Sequence, residues 1–430
     1  MIRIRSEWSF NILLSIACLV LLAGTVVTIA GGLPDYPGAV VRLCLLCASL
    51  LFLCLLFRRD AIRLDRRVVP SVAFAIVAIL SVVASPGFMS ALMRLELYYA
   101  IVVAGLAVAF ALRHCSEGIG KIVLLSIAIV HAGFLLIAVQ FAVAASGEAD
   151  PVAAPPYFLN IRHFGYQGYF GASAAVALAL VDRRLRAAGV LLGTASLFGI
   201  IMFGSRGALL AWILFLLAAI ALVPDRRAAT AVSLLMITGA LALALVVETN
   251  EWMNTYSLLD RARIPTGDTV SMLYVHDRID IWMSSLAAVA QRPLLGFGPN
   301  GYIISGCCNR SVAQPHNSIL QVLLEFGAVG FVTLVWAVVS LFGPRIRRIV
   351  FQTARDSRDP VQATALAIVV GFAGFSLVDG LLYFPVPLVN FALTCAVLLG
   401  TPSGGGERKM CSRTVGFIQS PTSSPDSGVA

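Results

Sequence analysis

Charge is scarce in this chain. Only 12% of its 430 residues are Asp, Glu, Lys or Arg, against 59% that are hydrophobic. A soluble domain of this length carries roughly twice that charge to cover its surface, so a soluble globular fold is excluded. Histidine is scarcer still, at five residues, and no Asp-rich or His-rich cluster stands in a polar segment to hold a metal. The nine cysteines show no metal-ligand spacing. Cys44 and Cys47 form a CxxC only on paper, inside an apolar run where thiols pack as small hydrophobes. Cys307 and Cys308 are neighbours in a polar stretch where a disulfide can persist, and the sequence leaves their state open.

What the chain does have is apolar runs of the roughly 20 residues that a bilayer-crossing helix requires, and a mean hydropathy of +0.91. A bilayer core forces backbone groups to pair within their own segment, so these runs are helices. The expected fold is an all-α, polytopic helical membrane protein with about 12 transmembrane helices and one long extracytoplasmic loop. Its parts are a nine-helix transmembrane region (1–247), the loop with an amphipathic helix (248–315), the C-terminal transmembrane helices (316–400) and a Gly/Ser/Pro-rich tail expected to be disordered in the cytoplasm (401–430). The first run, Phe10 to Ala30, is long and lacks a clear cleavage site, so it reads as a retained helix rather than a signal peptide.

The net charge of +9 does not mark a nucleic-acid partner, because of where it lies. More than two thirds of the 31 Lys and Arg fall in alternate connections, among them Arg58 to Arg67 and Arg345 to Arg358. That is the positive-inside pattern. It puts both termini in the cytoplasm and the 248–315 loop on the outer face.

Function concentrates where that loop ends. His316-Asn317 opens an apolar segment reaching Phe342, and Asn317, Gln321 and Glu325 recur at i, i+4 and i+8, a polar stripe on one side of a helix. A carboxylate two turns into such a segment is costly unless it faces protein or water. Glu325 is therefore either a functional group or a tie between helices. Gly327 and Gly330 suit close helix packing. Arginines stand at three further outer positions: Arg162 before the span Gly165 to Val181, Arg206 in the tight Gly204-Ser205-Arg206-Gly207 turn, and Arg278 at the start of an amphipathic helix running to Gln291. Arg206 either anchors structure or meets an anionic group. On the amphipathic helix, Ile279, Trp282, Leu286 and Val289 share one seam, as expected of a helix lying on the membrane surface.

Gly296 to Gly301 spells GxGxxG. It has no strand before it and no βαβ unit around it, so it reads as turns aiming the chain toward His316, not as a dinucleotide site. His131, mid-span, reads as a satisfied packing residue. Asp379, near the outer end of its span, is a buried-carboxylate candidate or the partner of a neighbouring arginine. Arg94 and Glu96 are expected in an outer turn.

The His316-Asn317 pair followed by nine residues, Gly327, two residues and Gly330 resembles the signature of the O-antigen ligase and O-antigen polymerase superfamily. The order of Arg278, a helix and Pro293-Leu-Leu-Gly-Phe-Gly298 resembles that family's loop, and Ser205-Arg206-Gly207 recurs at its corresponding turn. The resemblance implies a GT-C-like membrane glycosyltransferase of the bacterial inner membrane with its site facing the periplasm. It implies a metal-independent, cofactor-free transfer of a glycan from an undecaprenyl-diphosphate carrier to an acceptor hydroxyl, on lipid A-core or a growing glycan. His316 would be the catalytic base, Arg278, Arg206 and Arg162 would hold the diphosphate, and Asn317, Gln321 and Glu325 would support, with Glu325 a candidate to orient His316. A repeat-unit polymerase shares the motif. A secondary transporter of a glycan or lipid is the alternative of another class, but the middle inner turn, Asp182 to Arg186, is short for a two-halved carrier.

Overall fold

A computed structural model describes residues 14–26, 36–57, 66–113, 119–144, 162–247, 269–307, 312–352 and 354–400. Among these residues every regular element is helical. In chain order they are α1 (Leu14–Val26), α2 (Tyr36–Phe57), α3 (Val69–Val83), α4 (Phe88–Arg113), α5 (Ile119–Ala144), α6 (Arg162–Val181) and α7 (Arg186–Met202). Then come α8 (Arg206–Leu222), α9 (Arg226–Val247), α10 (Thr269–Gln291), α11 (Gly301–Ser305), α12 (Ser318–Arg347), α13 (Pro360–Ser376) and α14 (Pro385–Gly400). Seven of them are long and apolar enough to cross a membrane: α3 with its preceding turn, α4, α5, α6, α7, α9 and α12. The described apolar stretches of α1, α2, α8, α13 and α14 run to only 10–17 residues. The protein is thus a polytopic helical membrane protein. The tail from Thr401 and the first residues of the expected N-terminal span lie outside the described residues.

The helix ends are set by local chemistry. Asp359 caps α13 by accepting from the Val361 N–H at 2.9 Å, with Pro360 at the first helical position, where a missing N–H costs nothing. Asp225 does the same for α9 through the Ala228 N–H. Pro86 breaks the chain between α3 and α4, and the connection is four residues long, Ala84 to Gly87. Arg94 and Glu96 therefore lie inside α4, not in the expected outer turn.

At the centre stands α6, buried along nearly its whole span. It packs on α5, α7, α8 and α13. Between helices in lipid there is little hydrophobic drive, so close van der Waals packing has to supply the attraction, and small residues permit it. Ala172, Ala174, Ala175, Ala177 and Ala179 are accordingly all fully buried. Tyr166, Tyr169 and Phe170 enter an aromatic layer with Phe372 and Phe375 of α13. Outside this centre, α4 carries α2 and α14, and α3 pairs with α12 at the periphery. Cys44 and Cys47 are free and buried among apolar side chains, as expected. His131 is buried with Nε2 2.7 Å from Asn390 Oδ1 of α14. Cys307 is disulfide-bonded.

Candidate active site

The site is built around an interruption in α12. Its 30 residues exceed what a bilayer needs, and Gly327 splits them: φ is 65° and ψ −169°, a conformation open essentially to glycine alone. The stretch from Ala328 to Arg347 is still long enough to span, at about 20 residues. A break exposes backbone groups that must pair. The segment Pro293 to Gly298 pairs them: Phe297 N–H donates to Leu324 O at 2.7 Å and Gly298 N–H to Glu325 O at 2.9 Å. In return, Ala328 N–H donates to Pro293 O at 2.7 Å and Val329 N–H to Leu294 O at 3.2 Å. Such backbone-to-backbone docking leaves no room for side chains. A Cβ on Gly327 would collide with the Leu294 backbone, and one on Gly301 would lie 2.8 Å from Leu324 O. The glycines of the GxGxxG stretch thus serve this docking, and Gly327 is a helix break, not a helix-packing residue.

Asn317 caps α12, its Oδ1 accepting from Ile319 N–H at 2.9 Å and Leu320 N–H at 3.1 Å, while its Nδ2 donates to Leu377 O. The residue before it is held in a strained state. His316 has φ 53°, in the left-handed region that non-glycine residues rarely enter. Three contacts maintain it. Gln314 Oε1 accepts from the His316 backbone N–H at 2.6 Å, Gln314 Nε2 lies 2.6 Å from the ring Nδ1, and Asp379 Oδ1 lies 3.1 Å from the same Nδ1. Both His316 and Asp379 are buried. A protonated Nδ1 donates to the carboxylate, and a bare one accepts from the amide. Either way Nε2 is on the opposite side of the ring from Asp379.

Asp379 follows α13 and is itself fixed. Tyr166 Oη of α6 donates to Oδ2 at 3.1 Å, and Gly380 N–H donates to Oδ1 at 2.8 Å. The side chains bonded to it among the described residues are those of His316, Gln314 and Tyr166, where the sequence suggested an arginine. His163, one turn before Tyr166 on α6, packs edge-on against Phe384 with ring centroids 4.7 Å apart.

Of the three candidate arginines, Arg278 is the one whose side chain is seen bonded at this turn. Arg278 Nη1 donates to Val378 O at 2.9 Å, next to Asp379. Trp282, one turn along α10, donates its Nε1–H to Pro315 O at 3.0 Å, next to His316. Arg206 opens α8 and is exposed. Its neighbour Gly207 backs onto Phe375, where a Cβ would lie 2.8 Å from the ring, so Arg206 stands beside the end of α13. Arg162 is the first residue of α6, at the same end of the bundle; its side chain lies outside the described residues.

The polar stripe of α12 leads elsewhere. Glu325 does not join His316 in any hydrogen bond among the described residues. It accepts from Tyr98 Oη at 3.1 Å, from Gln321 Nε2 at 3.1 Å and from Asn300 N–H at 3.3 Å. Arg94 donates through Nε to the Tyr98 hydroxyl and through Nη2 to Tyr383 O, and its guanidinium lies 4.1 Å from the Tyr383 ring centroid. The carboxylate expected to orient His316 is thus Asp379 in Glu325's place. Sequence reading gave no role to Gln314, Tyr166, Tyr98 or Arg94. A buried arginine in the first two turns of an apolar helix was the available signal for Arg94.

Two comparisons bear on this arrangement. No curated protein matches the chain. Residues 188–335 match the family model described as O-antigen ligase. That stretch carries Arg206, Arg278 and His316, and it is similar to the O-antigen ligase family.

Proposed function

We propose that this protein transfers a glycan from an undecaprenyl-diphosphate carrier to an acceptor hydroxyl at the periplasmic side of the bacterial inner membrane, with both termini cytoplasmic. The family match supports an O-antigen ligase or polymerase type of activity. The observation that carries the finer reading is His316: a strained, buried imidazole held by Asp379 and Gln314, with Arg278 bonded to the carbonyl next to Asp379. Strain of this kind persists where the surroundings over-determine it, and it clusters at functional sites.

In the proposed step Asp379 draws the imidazole proton onto Nδ1, so that Nε2 offers its lone pair to the acceptor hydroxyl. The acceptor O–H gives its proton to Nε2 while its oxygen forms a bond to the anomeric carbon. The bond from that carbon to the phosphate oxygen breaks, and its electron pair leaves with the diphosphate. Arg206, Arg278 and Arg162, acting in place of a metal ion, hold the diphosphate and stabilise the departing charge as bidentate forks. Asn317 supports by capping α12 and fixing the Leu377 carbonyl. Gln321 and Glu325 support through the α4 to α12 brace.

Ligase and polymerase use the same constellation, and the ligase is the reading adopted, with lipid A-core as acceptor. The test is a gel of surface glycans and lipid-linked intermediates from cells lacking the protein, complemented with wild type or His316→Ala. Long chains on the carrier lipid with bare core are expected in the knockout and in the variant. Single repeat units capping the core would make it a polymerase instead. An unchanged profile with the variant inserted at normal levels would sink the catalytic role of His316.

A further inference from the structure

The helix α10 has three faces, one more than a surface helix of a soluble protein needs. The first is turned into the protein: Ser285 and Ala288 are fully buried, and Ile281 and Val289 pack into a cluster with Phe297, Tyr302 and Leu324. Arg278 and Trp282 belong to this face through their bonds to Val378 O and Pro315 O. The second is exposed and polar, with Asp280 and Gln291. The third is exposed and apolar. Ile279, Met283 and Leu286, at i, i+4 and i+7, are 47%, 63% and 47% exposed, and Ala290 continues the line at i+11. The expected single seam of Ile279, Trp282, Leu286 and Val289 is therefore divided, with Trp282 and Val289 turned inward and Ile279 and Leu286 outward.

Beyond Ala290 the exposed apolar side chains resume at Leu294 and continue on the spanning helix that follows the break in α12. Leu294 is 65% exposed, and its carbonyl accepts from Val329 N–H at that break. Val329, Val332, Val335, Trp336 and Val339 then form the exposed apolar side of that spanning helix. The same segment is tied to the end of α3 by Arg292 Nη1 donating to Ala84 O at 2.8 Å, and to α4 by Asn300 Nδ2 donating to Ser90 Oγ. There Met89 and Met93 are also exposed. A helix with one face on protein, one polar and one apolar, followed by the exposed apolar side of a span, fits the junction of protein, water and bilayer.

We propose that the lipid leaflet at the His316 end of the bundle covers the Ile279–Met283–Leu286–Ala290 stripe, so that α10 lies half-sunk along the membrane edge of the site. The consequence for chemistry is one of depth. Arg278 stands on the neighbouring face of the same helix, so a lipid-seated α10 holds its guanidinium at headgroup level, where a lipid diphosphate presents its phosphates. That consequence rests on the diphosphate role proposed above; the lipid contact itself does not.

The test uses the full-length protein in nanodiscs made with brominated phosphatidylcholine, which quenches tryptophan in contact with acyl chains. Met283→Trp and Asp280→Trp are compared with the parent. The fluorescence added at position 283 is expected to lose more than half its intensity to the brominated lipid and little to aqueous iodide, with the reverse at position 280. Leu286→Trp gives the same readout if the first variant folds poorly. Iodide quenching at both 283 and 286 would mean a water-facing stripe, and quenching by neither agent would mean protein covers it; either result overturns the proposal. Should the glycan profile show no dependence on this protein, the quenching result would stand and only the diphosphate role would fall.

Discussion

Two buried carboxylates stand near one end of this bundle, and their surroundings differ in kind. Glu325 is met by three hydrogen-bond donors, with Arg94 on the far side of Tyr98. Its ladder joins α4, the part of α12 before Gly327 and the loop at Asn300. Asp379 is met by Tyr166, Gly380 N–H and the ring of a histidine whose own backbone is strained. A closed cluster whose charge is answered within the fold is a brace. A cluster that holds one titratable ring in a costly conformation is poised to do something with that ring. Burial alone does not separate the two, because both acids are almost fully enclosed.

The largest effect that this contrast predicts is on turnover. Asp379→Asn keeps the shape at the turn but removes the acceptor that draws the proton to Nδ1. The expected loss is about 10²- to 10⁴-fold in kcat, with KM for the lipid-linked donor little changed. Purified protein with a synthetic lipid-diphosphate glycan measures it, and Asp379→Glu should recover part of the rate. A loss below about tenfold with unaltered folding would mean that Nδ1 is bare and accepts from the Gln314 amide, so that Asp379 does not set the state of the ring.

The second effect falls on stability. Arg94→Met leaves Glu325 buried without its nearby cation, which costs roughly 3 kcal/mol in comparable buried pairs. The double variant Arg94→Met/Glu325→Gln should be closer to wild type than the single arginine variant is, since no charge remains stranded. Thermal unfolding in detergent reads this directly, and turnover per folded molecule in Glu325→Gln should stay near wild type. If Glu325→Gln instead abolished turnover at normal stability, the two carboxylates would have to exchange roles.

How far these clusters were legible in sequence follows from what periodicity can report. The i, i+4, i+8 spacing of Asn317, Gln321 and Glu325 identifies a shared side of a helix, and Gln321 and Glu325 are indeed bonded to one another. It cannot say which neighbour that side meets. Gln321 and Glu325 meet Tyr98 of α4, while Asn317 reaches the Leu377 carbonyl and His316 meets Asp379. The 63 residues separating His316 from Asp379 carry no periodic signal that links them. Apolar helices are plain to read from composition, but in lipid their contacts depend on small-residue packing, whose pattern differs little from one helix to the next. Charge distribution brought Arg206, Arg278 and Arg162 to one face in expectation. The Val378 carbonyl that receives Arg278 needed the tertiary fold.

A third carboxylate, at the opposite end, gives the smallest effect and the control for the other two. Asp182 caps the turn between α6 and α7, and its ionised form is favoured first by the Arg184 backbone N–H and then by Lys121, 3.1 Å away. Its pKa is held below the ordinary carboxylate value of 3.8. A depressed folded-state value means that the stabilisation is present above the unfolded-state pKa and is lost as pH falls through the folded one. The gap in melting temperature between wild type and Asp182→Asn should therefore be small at pH 7 and close as the pH drops below about 4. Water screens this pair, so turnover should not change. A gap that widens in acid would reverse the sign and show that the protonated acid is the stabilising form. If Asp182→Asn cost as much activity as Asp379→Asn, coupling across the whole bundle, rather than the local geometry around His316, would have to explain why one carboxylate matters more than another.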